Sequence, residues 1–228
     1  GLKRNDDYNG GDQEGMGMTQ ATIRNGRRMS TAYCYLDPAR DRGNLTIETQ
    51  ALSEALILEG KRCVGVRYRV NGIEHTARAA REVIVSAGAI NSPQLLELSG
   101  IGQPDVLAAQ GVELQHALLG VGENLRDHLA PRLTWNIDKP GVVYTSGASL
   151  VWQSLKYAFT RQGLLSLPAS PIRGYFRSRE GLMAPDVGVS FFPFISENFK
   201  LTKRPGLTAI PHQLRPESTG SIHIKAPV

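Results

Sequence analysis

The sequence predicts a mixed α/β fold: an antiparallel meander, then a buried strand–turn–helix unit, then a second, mostly antiparallel region. Two turn dipeptides, Glu59-Gly60 and Asn71-Gly72, separate three β-rich runs and predict the meander. In "VIVSAGAINSPQLLELSGIG" an apolar run precedes small residues and a leucine-rich helix, which predicts the strand–turn–helix unit. From about Pro131 the composition shifts toward Pro, Gly, Ser and aromatic residues, which predicts the second region.

The segment before the meander contains few regular elements by its sequence. Residues 1–29 are rich in Gly, Asn and Asp and lack apolar periodicity, so they are predicted to form loops. Ser30 can cap a short helix, "TAYCYLDPAR", which Pro38 interrupts. The alternation in "NLTIETQA" predicts a strand directly before the meander.

The elements after the meander follow from apolar runs and helix-breaking residues. Three consecutive apolar residues, 83–85, predict a strand that is covered on both faces. Helices are predicted over 93–98, with Pro93 at the first position, and over 104–110, where Gly111 ends the helix. A short strand and a Gly-rich connection follow in "GVELQHALLGVGENLRDHL".

The second region is predicted to contain one helix, "SLVWQSLKYAFT", and the strands "IRGYFRSR" and "DVGVSFFPF". The change in composition places a boundary between residues 129 and 132. The sequence therefore predicts two consecutive domains, 1–130 and 131–228.

Composition excludes several classes of protein. The chain has 228 residues and a net charge of +5, but its basic residues alternate with acidic ones, so a nucleic-acid surface is not expected. Cys34 and Cys63 lie in no CxxC or metal-spaced pattern and are predicted to be reduced core thiols, with no metal site. No apolar run reaches the roughly 20 residues of a membrane span, and no signal peptide is recognisable, which favours a cytoplasmic location. The first and last residues resemble the interior of a longer chain.

The small residues at the end of the predicted strand allow two interpretations. Ala87-Gly88-Ala89 would present no bulky side chain, and the following helix would direct its first N–H groups beyond the strand, where α/β folds bind anionic cofactors. Alternatively, the glycine serves only the packing of a tight turn. The spacing by itself leaves both interpretations open.

The same stretch, "GAINSPQLLELSGIG", resembles the second signature of the glucose–methanol–choline (GMC) family of FAD-dependent oxidoreductases. Further similar segments stand in the family's order: "DYNG", "NGRRMSTAYCYLDPARDRGNLTI", "VGVRY", "GVGENLRDHL" and "LRPESTGSIHIKAP". The resemblance implies that 1–130 is the central part of an FAD-binding, doubly wound domain that includes the meander. It implies that 131–228 begins a substrate-binding domain built on an antiparallel sheet.

The resemblance also implies an activity and a cofactor site. Family members oxidise a primary alcohol by hydride transfer to the flavin, as dehydrogenases or oxidases, while a histidine acts as base on the hydroxyl. Ala87, Gly88 and Ser92 match the turn and helix that approach FAD, and Ser53 falls where members contact the adenine through the backbone. The electron acceptor, oxygen or another carrier, stays open.

Two parts of the family pattern are not found in the sequence. It contains no G-x-G-x-x-G in a strand–helix context, and the family's catalytic histidine is expected beyond Val228. No catalytic residue is therefore assigned, and residues 1–228 alone are expected to be inactive. Of the histidines present, His75 and His116 are predicted to face solvent, and His128 is predicted to fix the turn between the domains by hydrogen bonds. His212 and His223 are predicted to lie in or beside strands of the substrate region, and none of the five is expected to be catalytic.

The second region suggests a substrate surface. Alternation in "DVGVSFFPF" places Gly188, Ser190 and Phe192 on one face, and the resemblance favours Ser190 and Phe192 as lining of the substrate pocket; a plain core strand is the alternative. Choline-specific members carry a glutamate near the position of Pro171, and this sequence has no acid there. A neutral aliphatic or aromatic alcohol is therefore expected rather than choline.

Two other functions are also compatible with the sequence. The chain could be a non-catalytic binding or structural protein on the same scaffold, or an FAD-dependent lyase of the same family. Bound flavin in the purified protein distinguishes the first of these from an enzyme.

Overall fold

The computed structural model describes residues 2–137, 147–197, 200–202 and 204–227. The chain forms two compact units, each built from segments that are distant in the sequence. The first unit comprises Gly1–Leu45 and His128–Pro216, and the second comprises Thr46–Asp127 and Glu217–Val228. A unit boundary thus lies beside the predicted one at 129–132, although neither unit is a single consecutive segment. The assignment of 1–130 and 131–228 to cofactor and substrate stays a prediction.

The regular elements are numbered along the chain. The strands are β1 Gly15–Met18, β2 Ile23–Arg24, β3 Arg27–Arg28, β4 Leu52–Glu59, β5 Arg62–Val70, β6 Ile73–Arg78, β7 Ile101–Gly102, β8 His116–Ala117, β9 Leu133–Asn136, β10 Ile172–Phe176, β11 Val187–Phe192, β12 Ser196–Glu197, β13 Lys200–Leu201 and β14 Gly206–Gln213. The helices are α1 Gly88–Leu98, α2 Pro104–Ala109 and α3 Gly147–Thr160, with short helical turns at Ala32–Leu36, Asp37–Ala39 and Leu164–Ser166. The mixed α/β class that the sequence predicts is confirmed.

The first unit is built on a five-stranded antiparallel sheet with the order β1-β10-β11-β14-β9. Because directly paired residues share a face, the register divides the sheet into two unlike surfaces. One surface, called the polar face below, carries glycines, hydroxyls and one arginine. Its members are Gly15, Gly17, Thr134, Asn136, Arg173, Tyr175, Gly188, Ser190, Phe192, Gly206, Thr208, Ile210 and His212.

The prediction of loop for residues 1–29 is wrong in part. β1 forms an edge of the five-stranded sheet, and β2 and β3 form a small hairpin about Asn25 and Gly26, both with positive φ. β1 has the sequence GMGM, which carries little strand propensity, and it forms because its backbone pairs with β10. Ser30 acts as predicted at the next turn, where its Oγ accepts a hydrogen bond from the Tyr33 N–H at 3.2 Å.

The second unit contains the predicted meander, β4-β5-β6, with antiparallel pairing throughout. Asn71 and Gly72 have φ of 50° and 82°, the left-handed pair that a two-residue hairpin turn requires. α1 packs on β4, because Ser99 Oγ accepts a hydrogen bond from the Leu56 N–H at 2.8 Å and donates one to the Leu95 carbonyl at 2.5 Å. β7 and β8 form a short parallel pair.

Three local predictions for this unit are wrong. "NLTIETQA" forms no strand; β4 begins only at Leu52, after Gln50 turns the backbone with a φ of 56°. Residues 83–85 pair with no strand in the described part of the chain, and Ile84 is 78% exposed. α1 begins at Gly88, so Pro93 lies inside the helix and not at its first position. The strand pattern of 83–85 requires partners on both sides, and the described residues supply none.

The remaining expectations concern the ends of α2, the two cysteines, membrane-spanning helices and metal sites. α2 has Pro104 at its first position and Gly111 directly after its C-cap, as predicted. Both cysteines are free and half-buried. Within the described residues no helix has the length and apolar character that crossing a membrane requires, and no group of three or more metal-ligating side chains occurs.

Candidate cofactor and substrate sites

A cavity of about 370 Å³ lies in the second unit between the meander and the start of α1. Ser53 of β4 and Ala87, the N-cap of α1, both line it, although 34 positions separate them in the sequence. No charged side chain of the described chain lines this cavity. Its polar lining consists of Ser53, Ser86, Asn91 and Gln94, and its apolar lining of Ala51, Leu52, Leu56, Val66, Val83, Ile84, Val85, Ala87, Leu95 and Leu98.

A β-bulge shapes the strand beside Ser53. Ser53 pairs with Tyr68 and Ala55 pairs with Arg67, so Glu54 is an extra residue in β4. Glu54 is 5% exposed, and its carboxylate accepts hydrogen bonds from Arg69 at 2.6 and 3.3 Å. The ion pair compensates the burial of the carboxylate and holds the irregular backbone next to the cavity.

Gly88 supplies a backbone conformation that other residues rarely adopt. Its φ is 85°, and a side chain built there would meet no atom within 4 Å. Gly88 stands between Ala87, which lines the first cavity, and Ala89, which lines a second cavity of about 670 Å³ on the other side of α1. Ser92 lines this second cavity. The structure therefore brings Ser53 and Ala87 together and places Ser92 on a different side of the helix.

These residues fit one part of a dinucleotide cofactor. An uncharged cavity with hydroxyl and amide groups suits a base and a sugar, and open space above a glycine permits close approach of the ligand to the backbone. No basic side chain of the described chain lines the first cavity to neutralise a pyrophosphate. The first cavity therefore suits the adenosine part of FAD and not its pyrophosphate.

A buried carboxylate that was not among the predicted site residues lies at the other end of α1. Glu97 is fully buried; its Oε1 lies 2.6 Å from His223 Nδ1, and its Oε2 accepts the Ile224 N–H at 2.8 Å. His223 Nε2 lies 3.2 Å from Glu123 Oε1. The hydrogen bond to Glu97 raises the pKa of His223 above its usual value, against the opposing effect of burial. The signal in the sequence was a glutamate between two packing leucines, Leu96 and Leu98.

The predicted substrate residues lie on the polar face of the first unit. Ser190 is 7% exposed and pairs directly with Arg173 on one side and Ile210 on the other. Phe192 is half-buried, and its ring packs edge-on against Phe194 with centroids 5.6 Å apart. The structure places both residues on one face, as the alternation predicts.

Arg173 lies next to the predicted substrate residues, and no motif of the sequence pointed to it. It lies beside Ser190, and its Nε is buried without a hydrogen-bond partner in the described part of the chain. A charged residue inside a strand, directly before the buried Gly174 and Tyr175, was the available signal.

The other histidines have local roles in the structure. His75 and His116 are exposed, and the His75 ring stacks on Tyr68 with centroids 5.4 Å apart. His128 Nδ1 contacts the Gln213 carbonyl, and its ring packs edge-on against His212 at 5.2 Å. His223 bridges two carboxylates.

Comparison with known proteins identifies the family. Residues 1–130, more than half of the chain, match the family model described as GMC oxidoreductase. The chain belongs to the GMC oxidoreductase family. Membership in this family implies a flavin cofactor and confirms the resemblance drawn from the sequence motifs.

Individual relatives agree with GMC membership. An oxygen-dependent choline dehydrogenase of Yersinia pestis (strain Pestoides F) is 39% identical over 99% of this chain, and one of Chromohalobacter salexigens is 39% identical over 98%. The crystal structure of pyridoxine 4-oxidase from Mesorbium loti superposes with a TM-score of 0.80 at 28% identity over the whole chain. The chain spans 41% of the length of these dehydrogenases and 42% of the oxidase chain.

Proposed function

We propose that the protein carrying this GMC chain is an enzyme that oxidises a primary alcohol with FAD as the hydride acceptor. The observation that carries the proposal is the convergence of Ser53 and Ala87 in one uncharged cavity inside the family match. The names of its relatives, choline dehydrogenase and pyridoxine 4-oxidase, support an alcohol as substrate.

The proposed cofactor residues have distinct tasks. Ser53 contributes its backbone beside the adenine, so its side chain matters little, while Ala87 and Gly88 keep the turn into α1 free of bulky side chains. Ser92 contributes from the second cavity. FAD, when bound, supplies the acceptor for the hydride. In the domain division taken from the sequence, 1–130 binds FAD and 131–228 binds substrate.

The substrate surface is proposed on the polar face, with Ser190 and Phe192 as pocket lining. No base for the hydroxyl proton is proposed among the residues of this chain. Pro171 precedes β10, where its carbonyl accepts the Thr19 N–H at 2.8 Å, and offers no carboxylate to a quaternary ammonium group. With Arg173 two positions further on, the segment disfavours a cation. We therefore propose an alcohol without positive charge.

The cofactor proposal is tested by two matched substitutions, made in protein expressed from the complete open reading frame. Gly88 and Gly111 both have positive φ, 85° and 69°, and neither has an atom within 4 Å of a built side chain. Gly88→Val and Gly111→Val thus impose similar backbone strain, but only Gly88 borders the cavity residue Ala87. We expect Gly88→Val to lower the ratio of flavin to protein after desalting, and Gly111→Val to leave the ratio unchanged.

The outcomes separate the competing functions. Equal flavin loss in both variants would show that strain, rather than contact with the cofactor, is responsible. A parent protein that is colourless and oxidises no alcohol would favour a non-catalytic binding or structural role. A yellow protein that cleaves a substrate without net oxidation would favour the lyase.

A further inference from the structure

We infer that Arg173 binds a carboxylate of the substrate, so that the alcohol oxidised by this protein carries an acidic group. The inference rests on the proposed alcohol oxidation and specifies its substrate class. It follows from a buried donor atom on the polar face, the Arg173 Nε, that has no acceptor in the described chain.

The first observation is the environment of the Arg173 guanidinium. Its Nε is buried and finds no acceptor in the part of the chain that the structure describes. Leaving a buried, charged donor unpaired is costly, and such groups in folded proteins are paired with a carboxylate, a carbonyl or a ligand. An acceptor oxygen from outside the described chain therefore belongs beside Arg173.

A second arginine four positions further along the chain shows the contrast. Arg177 has its own acid, Glu14, whose carboxylate accepts from Nη1, and it also donates to the carbonyls of Leu182 at 2.8 Å and Met183 at 3.2 Å. Among the described residues Arg173 has no such set of partners, and none of those on the polar face is an Asp or Glu. The fold thus pairs one arginine internally and leaves the other for a different partner.

The neighbours of Arg173 indicate where that partner would lie. On the β1 side Arg173 pairs with Gly17, and the Asn5 carbonyl occupies the space that a side chain at Gly17 would need. Backbone therefore fills that side. On the β11 side the neighbour is Ser190, a small side chain whose hydroxyl can donate a second hydrogen bond.

A carboxylate matches these two donors. Its two oxygens can accept from the guanidinium in a planar, charge-assisted pair, and one of them can also accept from the Ser190 hydroxyl. A quaternary ammonium group would be repelled by the same arginine. Arg173 and Ser190 thus form a site that selects acidic alcohols over neutral ones of equal size.

The direct test is binding, without turnover. Calorimetry on protein expressed from its complete open reading frame compares 4-methylbenzoate with 4-methylbenzamide, which has the same shape and no charge. We expect Arg173→Met to raise the Kd of 4-methylbenzoate by at least about tenfold, the effect of a lost charge-assisted hydrogen bond, and to change the Kd of the amide little. Arg179→Met, at an exposed arginine on the loop of the same hairpin, is the control and should change neither Kd.

Turnover separates this inference from the proposed function. The parent should oxidise 4-(hydroxymethyl)benzoate with a higher kcat/KM than 4-(hydroxymethyl)benzamide, and Arg173→Met should abolish the preference. Oxidation of both alcohols with equal kcat/KM in parent and variant would overturn the role of Arg173 and leave the proposed function standing. Binding that depends on Arg173, without oxidation of any alcohol, would support the carboxylate site and overturn the proposed function.

A second variant covers the case in which Arg173→Met fails to fold. Arg173→Lys keeps the charge but loses the planar fork, so it should bind 4-methylbenzoate with intermediate Kd. If folded Arg173→Lys binds both 4-methylbenzoate and 4-methylbenzamide with the Kd of the parent, the charge at this position is sufficient for the carboxylate site. If the Kd of 4-methylbenzoate is the same with arginine, methionine or lysine at position 173, the site is refuted.

Discussion

Replacement of His223 by alanine should make the chain segment that follows residue 217 open more often from the rest of the second unit. This segment is held by backbone hydrogen bonds at three places: Leu125 with Gly220, Ile222 with Gly122, and the Ile224 N–H with the Glu97 carboxylate. His223 adds a hydrogen bond of 2.6 Å to the fully buried Glu97. Without the imidazole, Glu97 Oε1 loses its hydrogen-bond partner inside the unit.

The magnitude follows from burial. A hydrogen bond to a charged group contributes about 1.5–3 kcal/mol to stability. Because the His223 side chain is 22% exposed, water can hydrogen-bond to Glu97 in the variant and restore part of this contribution. We expect about 2 kcal/mol, which corresponds to about a 30-fold larger open population of the segment. Hydrogen exchange of peptides that contain Ile222 and Ile224 measures this population. Lys225→Ala, at an exposed position in the same segment, is the control.

The same contact predicts a dependence on pH. Glu97 raises the pKa of His223, and Glu123 raises it by a smaller amount. The stabilising contribution of His223 is therefore complete below the unfolded-state pKa of about 6.5 and is lost as the pH rises through the folded-state pKa. After correction for the intrinsic exchange rate, protection in the parent should fall from pH 6 to pH 9, while His223→Ala should show no such fall. Equal exchange in His223→Ala and Lys225→Ala would refute the reasoning.

Two further predictions concern the stability of the second unit, and denaturant unfolding tests both. Leu107→Ala should lower the free energy of unfolding of the unit by about 2–5 kcal/mol, because this side chain of α2 is fully buried and its removal leaves a cavity. A decrease of less than about 1 kcal/mol would mean that the neighbouring side chains fill the space around alanine. Gly72→Ala should cost about 1 kcal/mol, because the turn holds φ at 82°, where a Cβ is strained although no atom lies within 4 Å of it; an unchanged midpoint would contradict this turn geometry.

Features encoded by adjacent residues could be predicted from the sequence. Asn71-Gly72 specifies its hairpin because the left-handed conformation is a property of those two residues. The bounds of α2 are likewise local, because Pro104 begins the helix and Gly111 follows its C-cap. In β11 the alternation places Ser190 on the opposite face from its two neighbours in the chain. The family, too, was recognisable from contiguous motifs, and the match over residues 1–130 confirms it.

Features that depend on distant partners could not be predicted. β1 is a strand only because β10 offers it a backbone edge, and residues 83–85, despite a strand pattern, have no partner in the described chain. The pattern of a sequence records which side chains are apolar, but pairing is a contact between backbones that the pattern does not locate.

The sequence by itself determined the family, the meander and its turns, the helices α2 and α3, and the face on which Ser190 lies. Only the tertiary structure decided which polar groups are satisfied. Glu97 is hydrogen-bonded to His223, 126 positions away, and Arg177 is hydrogen-bonded to Glu14, 163 positions away. The Arg173 Nε has no hydrogen-bond partner in the described chain. The physical reason is that a buried charge is compensated by whichever atoms the fold brings within hydrogen-bond distance, and those atoms are set by the packing of the whole unit.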